Sequence, residues 1–220
     1  MYHYWLFFNC EMMIRRIRLF LCLVFACYAC ATAQQVDKAA VKARINRAAM
    51  EMKSMECDFV QTKHLKLLSD KMVSKGKMYY QQKNRLRWEY TSPHKYVFIL
   101  NNTKVSIHNG DRNDVIDTNQ NKVFKEIARV MMNSVVGKCL NDEREYKVDI
   151  TVNTSEWVAK LTPLRKNMKQ MFTSIVLHFD RQRALVTKVE LTEKNNDRTV
   201  IELKNVKTNH AISPSLFDIR

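Results

Sequence analysis

Glycine and proline are scarce, with three of each in 220 residues. Gly76, Gly110 and Gly137 stand far apart, so the chain contains no glycine-rich phosphate loop. The same scarcity excludes collagen-like and linker-rich designs, and it leaves the turns to Asn and Asp. No Gly-x-Ser-x-Gly elbow or Walker loop occurs. The six histidines (3, 64, 94, 108, 178, 210) are scattered, and none lies at metal-ligand spacing from another or from a cysteine. Asp117, Asn119 and Asn121 have the opening spacing of a calcium loop. Lys122 then stands where that loop needs glycine, and Ala128 where it needs glutamate, so a solvated turn is expected there. With no nucleophile signature and no metal or cofactor motif, the expectation is a protein that is not an enzyme and carries no cofactor.

What is present begins with a leader. Arg15, Arg16 and Arg18 precede the apolar run from Leu19 to Cys30, and Ala31-Thr32-Ala33 follows it. A basic start, a short apolar core and small residues are the pattern of a secretory signal peptide, cleaved here after Ala33. The run falls short of the roughly 20 residues that a membrane-spanning helix needs. An uncleaved anchor is the alternative reading. Met13 is an alternative start that makes residues 1–12 an upstream extension. Cys30 raises the further alternative of a lipidated N-terminus, but Cys27-Tyr28-Ala29 before it lacks the usual Leu and small pair. Residues 34–220 are then expected to form a single exported domain.

The leader takes four of the six cysteines with it and leaves Cys57 and Cys139. In an oxidising compartment these are candidates for a disulfide, with two separate buried thiols as the alternative. Loss of three arginines and Glu11 brings the net charge from +15 to +13. Such a charge favours acidic partners, either an anionic lipid surface or an acidic protein face, and export makes nucleic acid the poorest fit.

Residues 36–53 read as a helix with Val36, Ala40, Ala43, Arg47 and Met50 on one face. Residues 121–136 form a second, with Phe124, Ile127, Ala128, Met131 and Val135 on one face and Gly137 as the stop. Elsewhere the period is two. In residues 85–90, Leu86, Trp88 and Tyr90 face one way while Arg85, Arg87 and Glu89 face the other. Similar alternation marks 57–61, 73–81, 96–100, 104–108, 113–117, 146–152, 157–161, 175–179, 185–191 and 199–206. About ten strands without helix–strand alternation predict a mainly β protein with helices (α+β), built on a long, curved antiparallel sheet. A sheet of about eight strands, once closed, has room for one small ligand. Twelve methionines suit surfaces that repack around varied partners, or simply fill a core.

Several segments, in order, resemble the periplasmic outer-membrane lipoprotein carriers. Phe59-Val60-Gln61-Thr62-Lys63 is similar to the Phe-x-Gln-x motif that opens their sheet, and Gly76-Lys77-Met78-Tyr79-Tyr80 to the next strand. Leu86-Arg87-Trp88-Glu89-Tyr90-Thr91-Ser92-Pro93 resembles their Leu-Arg-Trp-x-Tyr-x-x-Pro segment. Leu161-Thr162-Pro163, the 172–179 and 199–206 strands and Phe217 complete the set over roughly residues 36–217.

The resemblance implies an unclosed β-barrel with an α-helical lid over a hydrophobic cavity. It also implies a carrier that collects lipoproteins from an inner-membrane ABC exporter and passes them to an outer-membrane acceptor, working as a monomer. Cavity candidates under it are Leu86, Trp88, Tyr90, Phe98, Leu100, Ile175, Leu177 and Phe179, with Met50, Phe124, Ile127 and Met131 on the lid. Which sheet face lines the cavity stays open at this level. The family's gating arginine, in an Arg-Pro pair before the Trp strand, is replaced by Gln82 and Lys83. A lipoprotein sensor of the same half-barrel fold is the alternative function; such sensors carry a further C-terminal domain, whereas this sequence ends at Arg220. A lipidated receptor of that fold and a lipid hydrolase, which needs a nucleophile beside a histidine, are further alternatives.

Overall fold

The alternating and helical stretches become eleven strands and three helices in a computed structural model that describes residues 37–67 and 70–219. The side chains of Lys122, Val123, Ile127 and Val135 are outside that description, as is the expected leader. From Lys38 onward the chain is one unit. Helix α1 (Lys38–Glu51) leads into six strands: β1 (Ser54–Leu65), β2 (Asp70–Gln81), β3 (Arg85–Ser92), β4 (Tyr96–Asn101), β5 (Lys104–Asn109) and β6 (Arg112–Asp117). Helix α2 (Lys122–Val136) then crosses to a second run. That run contains β7 (Tyr146–Val152), β8 (Glu156–Pro163), the short α3 (Lys166–Met171), β9 (Phe172–Asp180), β10 (Val186–Glu193) and β11 (Arg198–Thr208).

Every strand pair is antiparallel, and the order is β6-β5-β4-β3-β2-β1-β11-β10-β9-β8-β7. The two meanders join through β1 and β11, while β6 and β7 remain as edges, so the barrel is unclosed. The strand ladder follows the alternation in the sequence. Leu86 pairs with Leu100 and Trp88 with Phe98, and these side chains are buried on the concave face. Arg87 pairs with Ile99 on the convex face. There Ile99 is covered by Ile212 and Phe217 of the C-terminal segment, and the Arg87 guanidinium bonds Glu89 and the Leu216 carbonyl.

Turns rely on asparagine, as the lack of glycine requires. Asn84, Asn102 and Asn196 adopt positive φ (58°, 57° and 67°) at three hairpins. The Asp117–Asn121 stretch folds as a turn and a cap. Asp117 Oδ1 accepts from the Asn119 amide at 2.8 Å, and Asn121 Oδ1 accepts from the Phe124 amide at the start of α2. Gly137, at φ 76°, ends that helix in the left-handed conformation.

Two expectations need correction. Helix α1 buries Val41, Ile45 and Ala49, not the face through Ala43 and Met50. The alanine-rich sequence offers two weak stripes, and the branched pair Val41 and Ile45 gains more from burial than Met50 does. Cys57 and Cys139 are separate buried thiols, not a disulfide. Cys57 lies on β1 beside Met78 and Cys139 in the 3-10 turn after α2. Burial pushes both thiols up to about 12, with Asp58 and Glu56 adding to the effect at Cys57. Helix α3 was not foreseen; its six residues hold one buried side chain, Met168, too few to show a period.

Candidate functional site

The concave face and α2 enclose an apolar cavity of about 230 Å³. Its floor comes from the middle of the sheet: Trp88 and Tyr90 of β3, Gln61 of β1, Val189 and Leu191 of β10, and Thr199, Ile201 and Leu203 of β11. Its roof is Val130, Met131 and Ser134 of α2, with Met171 of α3 and Phe172 closing one side. The floor residues lie on one side of the sheet by register, since Phe59 faces Leu203, Gln61 faces Ile201 and Lys63 faces Thr199.

The floor is stiff. Phe59 stacks against Trp88 at 4.5 Å between centroids and meets Tyr90 edge-on at 5.2 Å, and Tyr90 meets Tyr96 at 5.8 Å. Gly76 leaves the room for this packing: a Cβ there would lie 1.9 Å from the Glu89 carbonyl oxygen and 2.5 Å from the Phe59 ring. The roof is adaptable by comparison, because methionine side chains repack at little energetic cost. Polar atoms are few. The Tyr90 hydroxyl donates to Gln61 Oε1 at 3.0 Å, and burial, the largest influence on that phenol, raises its pKa. The Trp88 indole N–H is buried beside the Tyr90 hydroxyl.

Helix α2 is tied down at its flank. Glu145, almost fully buried just before β7, accepts from Arg129 of α2 at 2.6 Å and pairs with Arg165 at 2.8 Å. Arg129 also bonds Glu126 one turn earlier. Burial works against the charged guanidinium of Arg129, but the Glu126 hydrogen bond and the charges of Glu126 and Glu145 outweigh it and raise its pKa. Gln82 bonds the other helix: its Nε2 donates to the Met50 carbonyl at the end of α1.

Of the expected site residues, Trp88, Tyr90 and Met131 line the cavity. Leu86, Phe98, Ile175, Leu177 and Phe179 are buried in the concave core without lining it. Leu100 borders a second, more polar cavity of about 310 Å³ on the other flank of α2, beside Arg129 and Asn133. Phe124 packs on the core, and the side chain of Ile127 is outside the described atoms. Met50 is corrected from lid to surface: it is 73% exposed. The β10 and β11 lining was not singled out, although Val189/Leu191 and Thr199/Ile201/Leu203 carry the same alternation. Nothing in a linear pattern says which strands lie under a helix.

The family model described as outer membrane lipoprotein carrier protein LolA matches residues 50–220. An outer-membrane lipoprotein carrier protein of Francisella tularensis subsp. tularensis (strain WY96-3418) is 26% identical over 208 residues, covering 92% of each chain. One from Francisella tularensis subsp. novicida (strain U112) is 27% identical over 150 residues, 68% of this chain and 69% of that relative. Among solved structures, MucB aligns with a TM-score of 0.51 at 14% identity over 84% of this chain. The alignment spans 63% of MucB, and at that identity the likeness is one of fold alone. The matched segment takes in the whole eleven-stranded sheet and the helix that roofs its cavity, and the chain belongs to the outer-membrane lipoprotein carrier family.

Proposed function

We propose that this protein is a periplasmic carrier that shields the acyl chains of lipoproteins released by an inner-membrane ABC exporter and delivers them to an outer-membrane acceptor. The observation that carries this reading is the apolar cavity under α2, with a rigid aromatic floor and a methionine-containing roof. Among the described residues its lining holds the hydroxyls of Tyr90, Ser134 and Thr199 but no His, Cys, Asp or Glu, which favours a carrier over a lipid hydrolase.

Size and energy argue for a moving lid. At 230 Å³ the cavity is smaller than the roughly 300–1,000 Å³ of pockets that engulf a small ligand. A lipoprotein acyl chain therefore enters only if α2 shifts outward. Burying 16 carbons is worth on the order of 12 kcal/mol at ~0.8 kcal/mol per methylene, too much for ready release. Displacing a packed helix offsets part of that gain and leaves a complex that can both form and dissociate.

The test is transfer. Spheroplasts carrying a labelled lipoprotein are incubated with the protein, and soluble one-to-one complexes are collected. The expected result is release into solution, lost when Trp88 is replaced by Glu. Absence of any released lipoprotein, with a phospholipid co-purifying instead, would move the function to another lipid.

A further inference from the structure

The outer half of the β1–β2 hairpin belongs neither to the cavity nor to the core. Strand β2 loses its outer neighbour early, since its last partner in β3 is the Lys75–Ser92 pair, so residues 70–74 project past the sheet on that side. Strand β1 stays paired with β11 as far as His64 and Arg198. The base of the arm is fastened, with Asp197 Oδ1 accepting from the Lys66 amide at 2.9 Å and Lys63 Nζ 3.0 Å from Glu193.

This arm exposes apolar side chains on both of its faces, Met72 in the concave row of Lys63 and Val73 in the convex row of Thr62, with Leu67 at its end. Leu67 is 92% exposed, Met72 56% and Val73 44%. They are three of the six large apolar side chains exposed among the described residues, so exposure is concentrated here rather than scattered. Lys71 lies between them and Lys66 and Lys75 flank them, all three exposed and without an ion pair among the described residues, and Asp70 is the one acid between residues 63 and 75. The arm also sits at a defined place relative to the cavity. Thr199, a lining residue, pairs with Lys63, and Lys63 with Met72, so all three share one cross-strand row on the concave side.

We infer that the β1–β2 arm docks the protein on an anionic phospholipid surface, with Leu67, Met72 and Val73 entering the headgroup boundary and Lys66, Lys71 and Lys75 holding lipid phosphates. Two features favour lipid over protein. The arm from 63 to 75 contains no Trp, Tyr or Arg, the residues that anchor protein interfaces. Lysines interleaved with aliphatic side chains are instead the composition of surfaces that lie in a membrane interface. Three apolar side chains and three lysines give reversible attachment, as a protein that visits a membrane and leaves it requires. The inference rests on the carrier reading for its purpose, since docking by this arm turns the Thr199 end of the cavity toward the bilayer.

The experiment uses the chain purified as its host processes it, mixed with sedimenting vesicles of phosphatidylglycerol and phosphatidylethanolamine or of phosphatidylcholine alone. Binding of a fluorescent fatty acid in solution is measured in parallel. Binding to the anionic vesicles is expected, weakening with salt, and falling about tenfold in Leu67→Asp/Met72→Asp and in Lys71→Glu/Lys75→Glu. Fatty-acid binding should stay unchanged in both variants, which shows that they fold. Equal binding to both vesicle types, or variants that sediment like the parent, would overturn the inference. So would variants that keep vesicle binding but lose capture by a membrane protein. Arm-dependent vesicle binding by a protein that ignores the fatty acid would uphold docking while removing the carrier reading.

Discussion

At the scale of single residues, the site depends on close approach more than on polar chemistry. Gly76 shows this most sharply. Its backbone lies under the Phe59 ring, and Phe59 in turn supports Trp88 and Tyr90. Because the nearest obstacle to a Cβ is the Glu89 carbonyl of the paired strand, no side-chain rotation relieves the clash. Gly76→Ala is therefore expected to lower stability by about 1–3 kcal/mol, the range for overpacking, and to weaken fatty-acid binding. Urea denaturation checks the first, and an unchanged midpoint would refute this account of the glycine. The motif containing Gly76 was visible in the sequence; its reason was not, because the obstacle comes from another strand.

Among the secondary-structure elements, α2 and α1 are held by different means. Helix α1 rests on Val41, Ile45 and Ala49 in the core, while its ion pairs, Lys38 with Asp149 and Lys42 with Glu143, are exposed and contribute little. Helix α2 has a clasp with one nearly buried member, since Glu145 bridges Arg129 and Arg165. Removing the charge of Glu145 leaves Arg129 with Glu126 alone and unfastens the helix from the start of β7. Glu145→Gln is expected to cost about 1–3 kcal/mol and to speed amide exchange across α2, with β1 and β2 unaffected. Unchanged protection of α2 would show that the clasp does not hold the lid. The helix itself was legible from Asn121, Gly137 and the 3–4 spacing between them. The clasp was not, because Arg129, Glu145 and Arg165 are separated by stretches with no common pattern. The misassigned face of α1 has a similar cause: alanine stripes are close in energy, and contact with the sheet selects between them.

For the molecule as a whole, an open sheet with a roofed cavity links binding to stability. A ligand that occupies the cavity of the folded form and not the unfolded chain stabilises the former by mass action. A fatty acid at about 100 times its dissociation constant should add roughly 2.7 kcal/mol. A single thermal transition that moves upward with ligand concentration is the expected observation. A transition that moves downward would mean that the fatty acid binds the unfolded chain in preference to the folded one.

The sequence by itself determined the strands, the two long helices, the asparagine turns and the placing of Trp88 and Tyr90 on a common face of their strand. Those properties follow from local periodicity and local capping, which need no knowledge of distant residues. The tertiary structure alone decided three other things. It selected Val189, Leu191, Thr199, Ile201 and Leu203 as cavity floor while leaving Leu177 and Phe179 as core. It kept Cys57 and Cys139 apart as thiols. And it left the β1–β2 arm projecting beyond β3. All three depend on how the two meanders meet along β1 and β11 and where α2 lies across them, and contacts between residues more than a hundred positions apart leave no periodic trace in the chain.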